Sequence, residues 1–490
     1  MSTLLPILPE ILLLVLGILL LTIDPFLKKS TWRGAFLGWF TTAGLLILLL
    51  LSLLFTRPAD PIPAMGGMIR FDWLGFLFKI LFLFAGSVTA LFFMGSEKLS
   101  ERAEAYLLLL AAVLGMCLMA SSADLIMLYL AIEMTSIPLY ILAGFIKDND
   151  QSTESGFKYL LFGALTSAIL LYGFSLLYGF SGTTNLYQLI FYITDFNPVL
   201  LGITFLILAG LAFKVSLFPF HFWAPDVYQG APTPVAGFLS TASKAAGFAV
   251  LIRLFTAAFP AVNADWSLIL AILATLTMTV GNLIALAQKN IKRMLAYSSI
   301  AHAGYAMIGV VAYTQLGMTS TVFYLMAYIL TNLLAFAIVT IVGKAAGTDE
   351  ASGYNGLSRR NAGLGLAALV AFLSLSGMPP FAGFVAKVFV FVAAVESGWT
   401  WLAIVGVLNS IIGLYYYLNV LKAVYLYRMP EENEAIVEAF LAGHPDFVLK
   451  PAGAVLAEQG VDLAMADYLR LDPLNHGTDG FFAAVLDRPA

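Results

Sequence analysis

The chain has 490 residues, of which 61% are hydrophobic and only 11% are charged, and its mean hydropathy is +0.92. This composition excludes an ordinary soluble domain and predicts an all-α protein that crosses a membrane many times. The net charge of −4 hides two unlike regions: residues 429–490 contain 11 acidic and 3 basic side chains, whereas the remainder contains 18 and 22.

Hydropathy predicts about thirteen membrane-spanning helices. The first apolar run lacks a basic leader and a small-residue cleavage site, so we interpret it as a retained span and not as a signal peptide. The predicted spans are 4–23, 34–55, 71–94, 104–121, 123–146, 157–180, 198–223, 236–259, 266–287, 296–314, 319–343, 362–395 and 400–427.

Basic residues concentrate in the odd-numbered loops, and positive loops stay on the cytoplasmic side. The N-terminus is therefore expected outside and the tail in the cytoplasm. Even-numbered loops contain only Arg57 and Arg70. The odd-numbered loops contain Lys28, Lys29, Arg33, Lys98, Arg102, Lys147, Lys289, Lys292, Arg293, Lys344, Arg359 and Arg360.

Proline interrupts the seventh and the twelfth span. Pro219 lies in the seventh span, and Pro379-Pro380 divides the twelfth span into two half-helices. Proline breaks a helix, and a break inside a membrane is tolerated where it is buried in protein or lines a wet cavity. Because the two breaks are five spans apart, the second copy would be inverted, which favours two inverted five-helix repeats.

A few ionisable side chains lie inside the predicted spans. A charge near the bilayer centre costs roughly 2.5–3.5 kcal/mol on insertion scales, so such residues are functional candidates by default. Lys214 lies five residues before Pro219, and Lys387 follows the second break. The candidates are Glu133, Lys158, Lys214, Lys244, His302 and Lys387.

These residue types suit a proton relay. Burial disfavours the charged form of an amine, and a nearby carboxylate favours it, so moving Glu133 relative to a lysine would switch that lysine between holding and releasing a proton. Histidine titrates near neutral pH without help. A row of lysines and a histidine joined by water, with one glutamate as modulator, is therefore a sensible proton path.

Structural interpretations remain open for several candidates. Lys158 could extend to the membrane interface, His302 could be a satisfied core histidine, and Glu133 could be an ion-pair partner. A purely structural role is hardest to accept for Lys214, Lys244 and Lys387, which are deep in a span or beside a break. A structural role is favoured for the remaining polar residues, Lys79, Glu10, His221 and Tyr415-Tyr416-Tyr417.

The sequence shows no redox site. Its single cysteine, Cys117, lies in an apolar run, so the cysteine clusters that hold iron–sulfur centres are lacking. A glycine-rich nucleotide-binding pattern after a strand is lacking as well.

Three segments closely resemble the N subunits of bacterial NADH–quinone oxidoreductase, the proton-pumping respiratory complex I. They are 214–248, which begins KVSLFPFHFWAPDVYQGAPTPV and ends with SKAAGF, ILPEILL at 7–13, and NLIALAQKNIKRMLAYSSIAHAGY at 282–305. The likeness covers roughly residues 4–428. It implies an antiporter-like subunit with a three-helix segment at 1–103, repeats at 104–259 and 260–428, and an atypical tail at 429–490.

The resemblance also implies roles for the candidates. Glu133 would be the modulating acid and Lys214 the central lysine, Lys244 and His302 would continue a hydrophilic axis, and Lys387 would serve the exit half-channel. Lys158 matches a further lysine of the family. Other membrane-arm subunits and the lipid bilayer of the bacterial inner membrane would be the partners, with no nucleic acid. NADH, FMN, iron–sulfur clusters and quinone would be held elsewhere in the complex, with no cofactor in this chain.

The tail differs from that family, which usually ends with a fourteenth span. PEENEAIVEAFL at 430–441 and GTDGFFAA at 477–484 resemble the C-terminal end of rRNA cytosine-C5 methyltransferases. Such enzymes need a catalytic cysteine and a cofactor domain upstream, which this chain lacks, so we assign the tail no activity. A fusion or assembly artefact and a genuine appendage are both compatible with its sequence.

Four functional hypotheses remain distinct on the sequence alone. The leading one is a proton-translocating subunit of complex I. The second is a subunit of a cation/proton antiporter or of a related membrane-bound hydrogenase, which its partner subunits would identify. The third is a structural subunit whose lysines can be exchanged without effect, and the fourth is an RNA-modifying tail.

Overall fold

The computed structural model describes residues 4–27, 32–195, 197–427, 430–461, 467–471 and 481–488. Lys28, Lys29 and the Gly477-Thr478-Asp479-Gly480 stretch lie outside the described residues. The helices are α1 Leu8–Leu27, α2 Arg33–Phe55, α3 Trp73–Phe93, α4 Glu97–Ser100, α5 Ala103–Ser121, α6 Leu125–Ala143, α7 Asp150–Ser181, α8 Pro198–Val215, α9 Trp223–Gly230, α10 Thr233–Phe238, α11 Lys244–Ala258, α12 Asn263–Ala285, α13 Ile291–Val311, α14 Gln315–Ala346, α15 Leu357–Arg360, α16 Ala362–Ser376, α17 Ala382–Glu396, α18 Thr400–Tyr425, α19 Pro430–Gly443 and α20 Ala452–Glu458.

The described strands are short and form two-stranded antiparallel ladders. β1 (Ile62–Ala64) pairs with β2 (Ile69–Phe71) between α2 and α3. Near the C-terminus, β3 (Val448–Lys450) pairs with β6 (Val485–Asp487), and β4 (Leu469–Leu471) pairs with β5 (Phe481–Ala483). The architecture is thus helical, as the composition predicts.

Within the described residues, twelve helices are long and apolar enough to cross a membrane. They correspond to every predicted span except the twelfth, which consists of the two shorter helices α16 and α17 on either side of a break. The prediction of about thirteen spans, with the seventh and the twelfth discontinuous, is therefore confirmed. The predicted eighth span is α10, a π-helical turn at Leu239–Ser243, and α11 in succession.

Some helices extend beyond their predicted limits because polar caps fix their ends. α7 begins at Asp150, seven residues before the predicted start, because the side chain of Asn149 accepts a hydrogen bond from the backbone N–H of Ser152. It ends at Gly182, whose φ of 70° terminates the helix in the left-handed conformation. Hydropathy alone misses the polar beginning of this 32-residue helix.

The chain divides into two compact units. The first comprises residues 1–353 and 366–419, and the second comprises 354–365 and 420–490. Inside the first unit, burial is uneven: the most apolar windows of residues 233–258 and 291–311 are 100% and 94% buried, against 33% for α7. The interior of this unit is therefore formed by the eighth span, which ends in α11, and by α13. Polar side chains on these helices can be shielded from lipid.

The two breaks have the same local backbone. At the first, Ser216 has a φ of 58°, and the N–H groups of Ser216 and Leu217 donate to the carbonyls of Phe213 and Ala212 at 3.1 and 2.8 Å. At the second, Gly377 has a φ of 85°, and the N–H groups of Gly377 and Met378 donate to Ser374 and Leu373 at 3.1 and 3.0 Å. Each position in the second break is 161 residues after its counterpart, so 216 matches 377 and 219 matches 380.

Candidate functional site

Lys214 lies in the last turn of α8, immediately before the first break, and is 4% exposed. Its ammonium donates a hydrogen bond to the hydroxyl of Ser136 in α6. α11 packs against the stem of this lysine at Gly247, where a Cβ atom would lie 3.5 Å from Cγ of Lys214 and 2.5 Å from the side chain of Val215. A glycine is needed at this position because any side chain would collide with the end of α8.

Glu133 lies on the same face of α6 as Ser136, three residues earlier. It is half-buried and accepts a hydrogen bond from the hydroxyl of Ser167 in α7. The direct hydrogen-bond partner of Lys214 is Ser136, one turn further along this face of α6. The structure therefore brings Glu133 and Lys214 together as neighbours that are joined through α6.

Lys244 is the first residue of α11, directly after the π-helical turn, and is 2% exposed. π-Helical turns are rare and are frequent at functional sites. The ammonium donates to the hydroxyl of Ser299 in α13 at 2.8 Å and lies 5.9 Å from the ring centre of Tyr228 in α9. The side chain thus points into the protein interior and not into lipid.

His302 lies one turn after Ser299 on α13 and is 6% exposed. Its Nδ1 is 2.7 Å from the hydroxyl of Tyr324, and its Nε2 is 3.2 Å from the hydroxyl of Tyr417. The hydroxyl of Tyr417 also forms a hydrogen bond with Ser298. Both ring nitrogens therefore have hydroxyl partners, which can either donate or accept a proton.

Lys387 lies in α17, just after the second break, and is 6% exposed. Its ammonium donates to the carbonyl of Ser376, the last residue of α16, at 2.9 Å and lies 4.7 Å from the ring centre of Tyr305 in α13. The break frees backbone carbonyls at the end of α16, and one of them holds this charge. The broken helix thus provides the binding group for the lysine.

One helix connects the second half of this set. One face of α13 carries Ser299, His302 and Tyr305 at intervals of three residues. Ser299 binds Lys244, Tyr305 contacts Lys387, and His302 lies between them. The six residues from Ser299 to Tyr305 correspond to about 9 Å along the helix. The structure therefore brings these three candidates to one buried surface.

Lys158 lies apart from the buried lysines. Its side chain is 35% exposed, and its ammonium is 2.7 Å from both a carboxylate oxygen of Glu154 and one of Asp226. Arg293 contacts the other oxygen of Asp226 at 2.8 Å. The structure thus places Lys158 in a solvent-facing ion-pair cluster, and a role in the relay stays a prediction.

Two buried charge pairs hold the N-terminal helices. Lys79 and Glu10 form an ion pair at 2.7 Å, and Lys79 also donates to the carbonyl of Pro6 at 2.9 Å. Arg253, a basic residue of the eighth span that is not among the predicted candidates, donates twice to Asp72 at 2.7 and 2.8 Å. Arginine paired in this bidentate way is a strong structural anchor.

Sequence reasoning missed the hydroxyl and amide groups that surround the lysines. Tyr416 and Tyr417, interpreted as packing, are 5% and 1% exposed, and Tyr416 donates to the side-chain oxygen of Asn282 at 3.0 Å. Asn282 in turn donates to the hydroxyl of Tyr305 at 3.0 Å. The sequence signal that could have revealed this network was Asn282, because an asparagine buried inside an apolar span needs hydrogen-bond partners.

The described residues do not bring three or more His, Cys, Asp or Glu side chains together as a group that could hold a metal ion. The hydrogen-bonding groups around the lysines are instead hydroxyls, amides and carbonyls. Such groups accept from ammonium and can pass protons, so the arrangement suits proton movement through an apolar interior.

Comparison with known proteins agrees with this chemistry. The sequence model of the family described as NADH:quinone oxidoreductase/Mrp antiporter, transmembrane, matches residues 122–413. NADH-quinone oxidoreductase subunit N of Trichlorobacter lovleyi is 43% identical over 436 residues, which cover 87% of this chain and 88% of that relative.

Two solved structures share the fold. A chain of respiratory complex I from Thermus thermophilus with bound aureothin is 36% identical, with a TM-score of 0.74, and the match covers 88% of this chain and 95% of that chain. A chain of the membrane-bound sulfane sulfur reductase, an archaeal respiratory membrane complex, is 28% identical, with a TM-score of 0.74 and coverage of 88% and 92%.

Proposed function

We propose a path for protons through this chain, which belongs to the family of N subunits of NADH-quinone oxidoreductase, the proton-pumping membrane subunits of that complex. In this proposal Lys214, Lys244, His302 and Lys387 exchange protons through the interior of the chain, and Glu133 modulates Lys214. Lys158 takes part at the aqueous end. The electrons of the complex pass through other subunits.

One observation carries the proposal: three amines are at least 94% buried in apolar helices, and each has an uncharged oxygen as its hydrogen-bond partner. A structural lysine in such a place would be expected to have a buried acid, as Lys79 has Glu10. An amine held only by hydroxyls or a carbonyl can lose its proton without leaving an unpaired anion behind. Burial favours that neutral form.

The roles follow from the contacts. Glu133 modulates Lys214, because approach of its carboxylate favours the charged amine and withdrawal favours proton release. Lys244 passes protons along α13 by way of Ser299 and the hydroxyls around His302. Lys387 receives them beside the second break. Each step transfers one proton from an ammonium or imidazolium to a neutral acceptor, so charge and atoms balance.

We propose the same domain organisation that the sequence suggests: a three-helix segment at 1–103, repeats at 104–259 and 260–428, and an acidic tail at 429–490. The equivalent backbone of the two breaks supports the repeats. The distribution of basic loops supports an N-terminus on the outer face of a bacterial inner membrane and a cytoplasmic tail. NADH, FMN, iron–sulfur clusters and quinone would be bound by partner subunits.

The test replaces Lys214 by alanine in the assembled complex and measures NADH-driven proton uptake in inverted membrane vesicles. We expect proton translocation through this chain to fall by about a hundredfold or more, since a positioned proton-transfer group contributes roughly 10²–10⁴-fold. Lys344→Ala is the control, because that side chain is 63% exposed and pairs with Glu97 at the surface. Normal proton yield and turnover in Lys214→Ala and Glu133→Ala, with the complex assembled on native gels, would contradict the proposal.

A cation/proton antiporter is the second candidate, because the matched family includes the transmembrane subunits of Mrp antiporters by its description. The composition and transport activity of the purified complex distinguish these two candidate functions. Co-purification with iron–sulfur subunits favours the oxidoreductase, whereas sodium-dependent proton transport without them favours the antiporter.

A further inference from the structure

The equivalence of the two breaks extends to the charged residues that follow them. With the same separation of 161 positions, Asp226 is the counterpart of Lys387, and Lys214 is the counterpart of Leu375. Asp226 lies in α9 and Lys387 in α17, the helices that resume the chain after each break. The position that holds a buried base in the second half thus holds an acid in the first.

Asp226 is the centre of a charged cluster built from three helices. One oxygen accepts from Lys158 of α7 at 2.7 Å, and the other accepts from Arg293 of α13 at 2.8 Å. Lys158 is shared with Glu154, also at 2.7 Å, and Arg293 is shared with Gln229 at 2.9 Å. Each cation therefore has a second oxygen to which it can turn.

The cluster borders an open cavity of about 140 Å³. Gln151, Ser155 and Gln229 line it together with Glu154, Lys158 and Asp226. This polar space is large enough for several water molecules, for which a share of about 30 Å³ each is typical. The side chains of Lys158 and Asp226 are 35% and 38% exposed, so the cavity is in contact with the aqueous phase.

Two helices lead from this cavity to the buried lysines. α9 carries Asp226 at the cavity and, two residues later, Tyr228, whose ring centre is 5.9 Å from the ammonium of Lys244. α13 carries Arg293 in its first turn and Tyr305 beside Lys387 twelve residues later, a distance of about 18 Å along the helix. Arg293, which binds Asp226, and Tyr305, which contacts Lys387, therefore lie on one buried helix.

The carboxylate of Asp226 stays charged at neutral pH. Its partial burial raises its pKa, but the hydrogen bonds and charges of Lys158 and Arg293 lower the pKa more, to below the usual 3.8. Asp226 is thus a fixed anion that holds two movable cations at the cavity, and it does not itself carry protons.

We propose that Asp226, Lys158 and Arg293 form the gated mouth through which protons pass from water into the first repeat, on the same side as the basic loops. Asp226 is the positioning residue of this gate. The gate opens when Lys158 turns to Glu154 and Arg293 turns to Gln229, which clears the way from the water-exposed cavity along α9 toward Lys244. This inference rests on the proposed proton-pumping function and adds the place of uptake to it.

The experiment uses the assembled complex in inverted vesicles, in which the cytoplasmic face meets the medium. Asp226→Asn removes the anion but keeps the shape of the side chain, and Asp226→Glu keeps the charge. Asp349→Asn is a matched control, because Asp349 is a half-exposed acid that pairs at 2.6 Å with Lys292, the neighbour of Arg293 on α13, but does not border the cavity. NADH-driven proton uptake is measured from mildly acidic to mildly alkaline medium.

We expect proton uptake by Asp226→Asn to fall below that of the parent by a factor that grows as the medium becomes more alkaline, because a damaged mouth limits the rate when protons are scarce. Asp226→Glu should restore most of the uptake, and Asp349→Asn should match the parent. A uniform loss at all pH values, or no loss, would overturn the inference. If Lys214→Ala abolishes pumping in the same assay while Asp226→Asn does not change it, only the mouth is refuted, whereas unchanged pumping in Lys214→Ala refutes the function itself.

Discussion

At the first break, between α8 and α9, the buried lysine precedes the turn, whereas at the second, between α16 and α17, it follows the turn. The backbone hydrogen bonds and the left-handed residue are equivalent at the two places. The side chains are not: Lys214 corresponds to Leu375, and Asp226 corresponds to Lys387. The chain thus repeats a backbone arrangement and assigns different charges to it.

The break in the helix and the charge beside it are therefore separate features of the structure. Each break ends a helix and frees carbonyl groups inside the protein, and a lysine can approach from either side. Lys387 uses such a carbonyl, that of Ser376, whereas Lys214 turns away from its own break to Ser136 in α6. A lysine added at the unused position should therefore place a second buried ammonium at the same break.

The largest effect is expected for Leu375→Lys, which gives the second break a lysine at the position of Lys214. Leu375 is 2% exposed and lines a small cavity beside His302. An added amine there should cost about 2.5–3.5 kcal/mol, the usual cost of a charge at the centre of a membrane helix. Native gels and thermal inactivation of the complex would show reduced assembly and stability.

Leu375→Met is the control for this variant, because a change that conserves volume usually costs less than about 1.5 kcal/mol. If Leu375→Lys assembles and pumps like the parent, the two positions are interchangeable, and the distinction between the breaks is wrong.

A second pair of variants compares the left-handed residues. Gly377→Ala should destabilise the protein by at least about 1–2 kcal/mol, the cost of a side chain in the left-handed conformation. Its Cβ would also lie 2.8 Å from Cδ of Lys387 and push that lysine from its site. Ser216→Gly should instead stabilise, by under about 1 kcal/mol, since the flexibility of glycine in the unfolded chain offsets part of the gain.

Thermal unfolding of the purified complex measures both variants. Opposite signs are the expected result. Equal effects in the same direction would mean that the breaks tolerate strain alike and that only the neighbouring lysine distinguishes them.

The sequence predicted the features that depend on composition and on single strong signals. Long apolar runs identified every span, because a run of about twenty apolar residues is the length that a bilayer requires. Proline in an apolar run identified both breaks, because its ring removes a helix hydrogen bond wherever it lies. Lysine inside a span selected Lys214, Lys244 and Lys387, and the structure buries all three.

The hydrogen-bond partners of these lysines and of His302 were not predictable in the same way. Ser136, Ser299 and Tyr417 are ordinary residues of helices, and their importance depends on which helix faces which, a tertiary property without a local pattern. Lys158 illustrates the converse, because an amine near the start of a span can be buried or can reach water. Only the position of α9, which carries Asp226, decides that it lies in a solvent-facing cluster.

A smaller effect is expected for Tyr417→Phe, which removes the hydroxyl shared by His302 and Ser298. The loss of one buried hydrogen-bonding group should cost about 0.5–1.5 kcal/mol, so the complex should still assemble. Proton translocation in vesicles should fall more than stability does, because the path along α13 loses a hydroxyl next to the imidazole. Tyr425→Phe, on the same helix, is the control, and an equal loss of pumping in both variants would show that the effect is not specific to His302.

The smallest effect concerns the stability that Asp226 contributes. Its pKa in the folded protein is below the usual 3.8, so the ion pairs stabilise the folded state at pH values above 3.8, and this stabilisation is lost as the pH falls through the lowered pKa. Since the carboxylate is 38% exposed, solvent screening limits the contribution to about 0–1 kcal/mol.

The thermal midpoints of the parent and of Asp226→Asn should therefore differ slightly at neutral pH and converge in acid. A difference that persists or grows in acid would mean that the variant disturbs packing and not the ion pairs. Convergence would show that the acid at this position of the first break acts by its charge in water, whereas its counterpart Lys387 acts in an apolar interior.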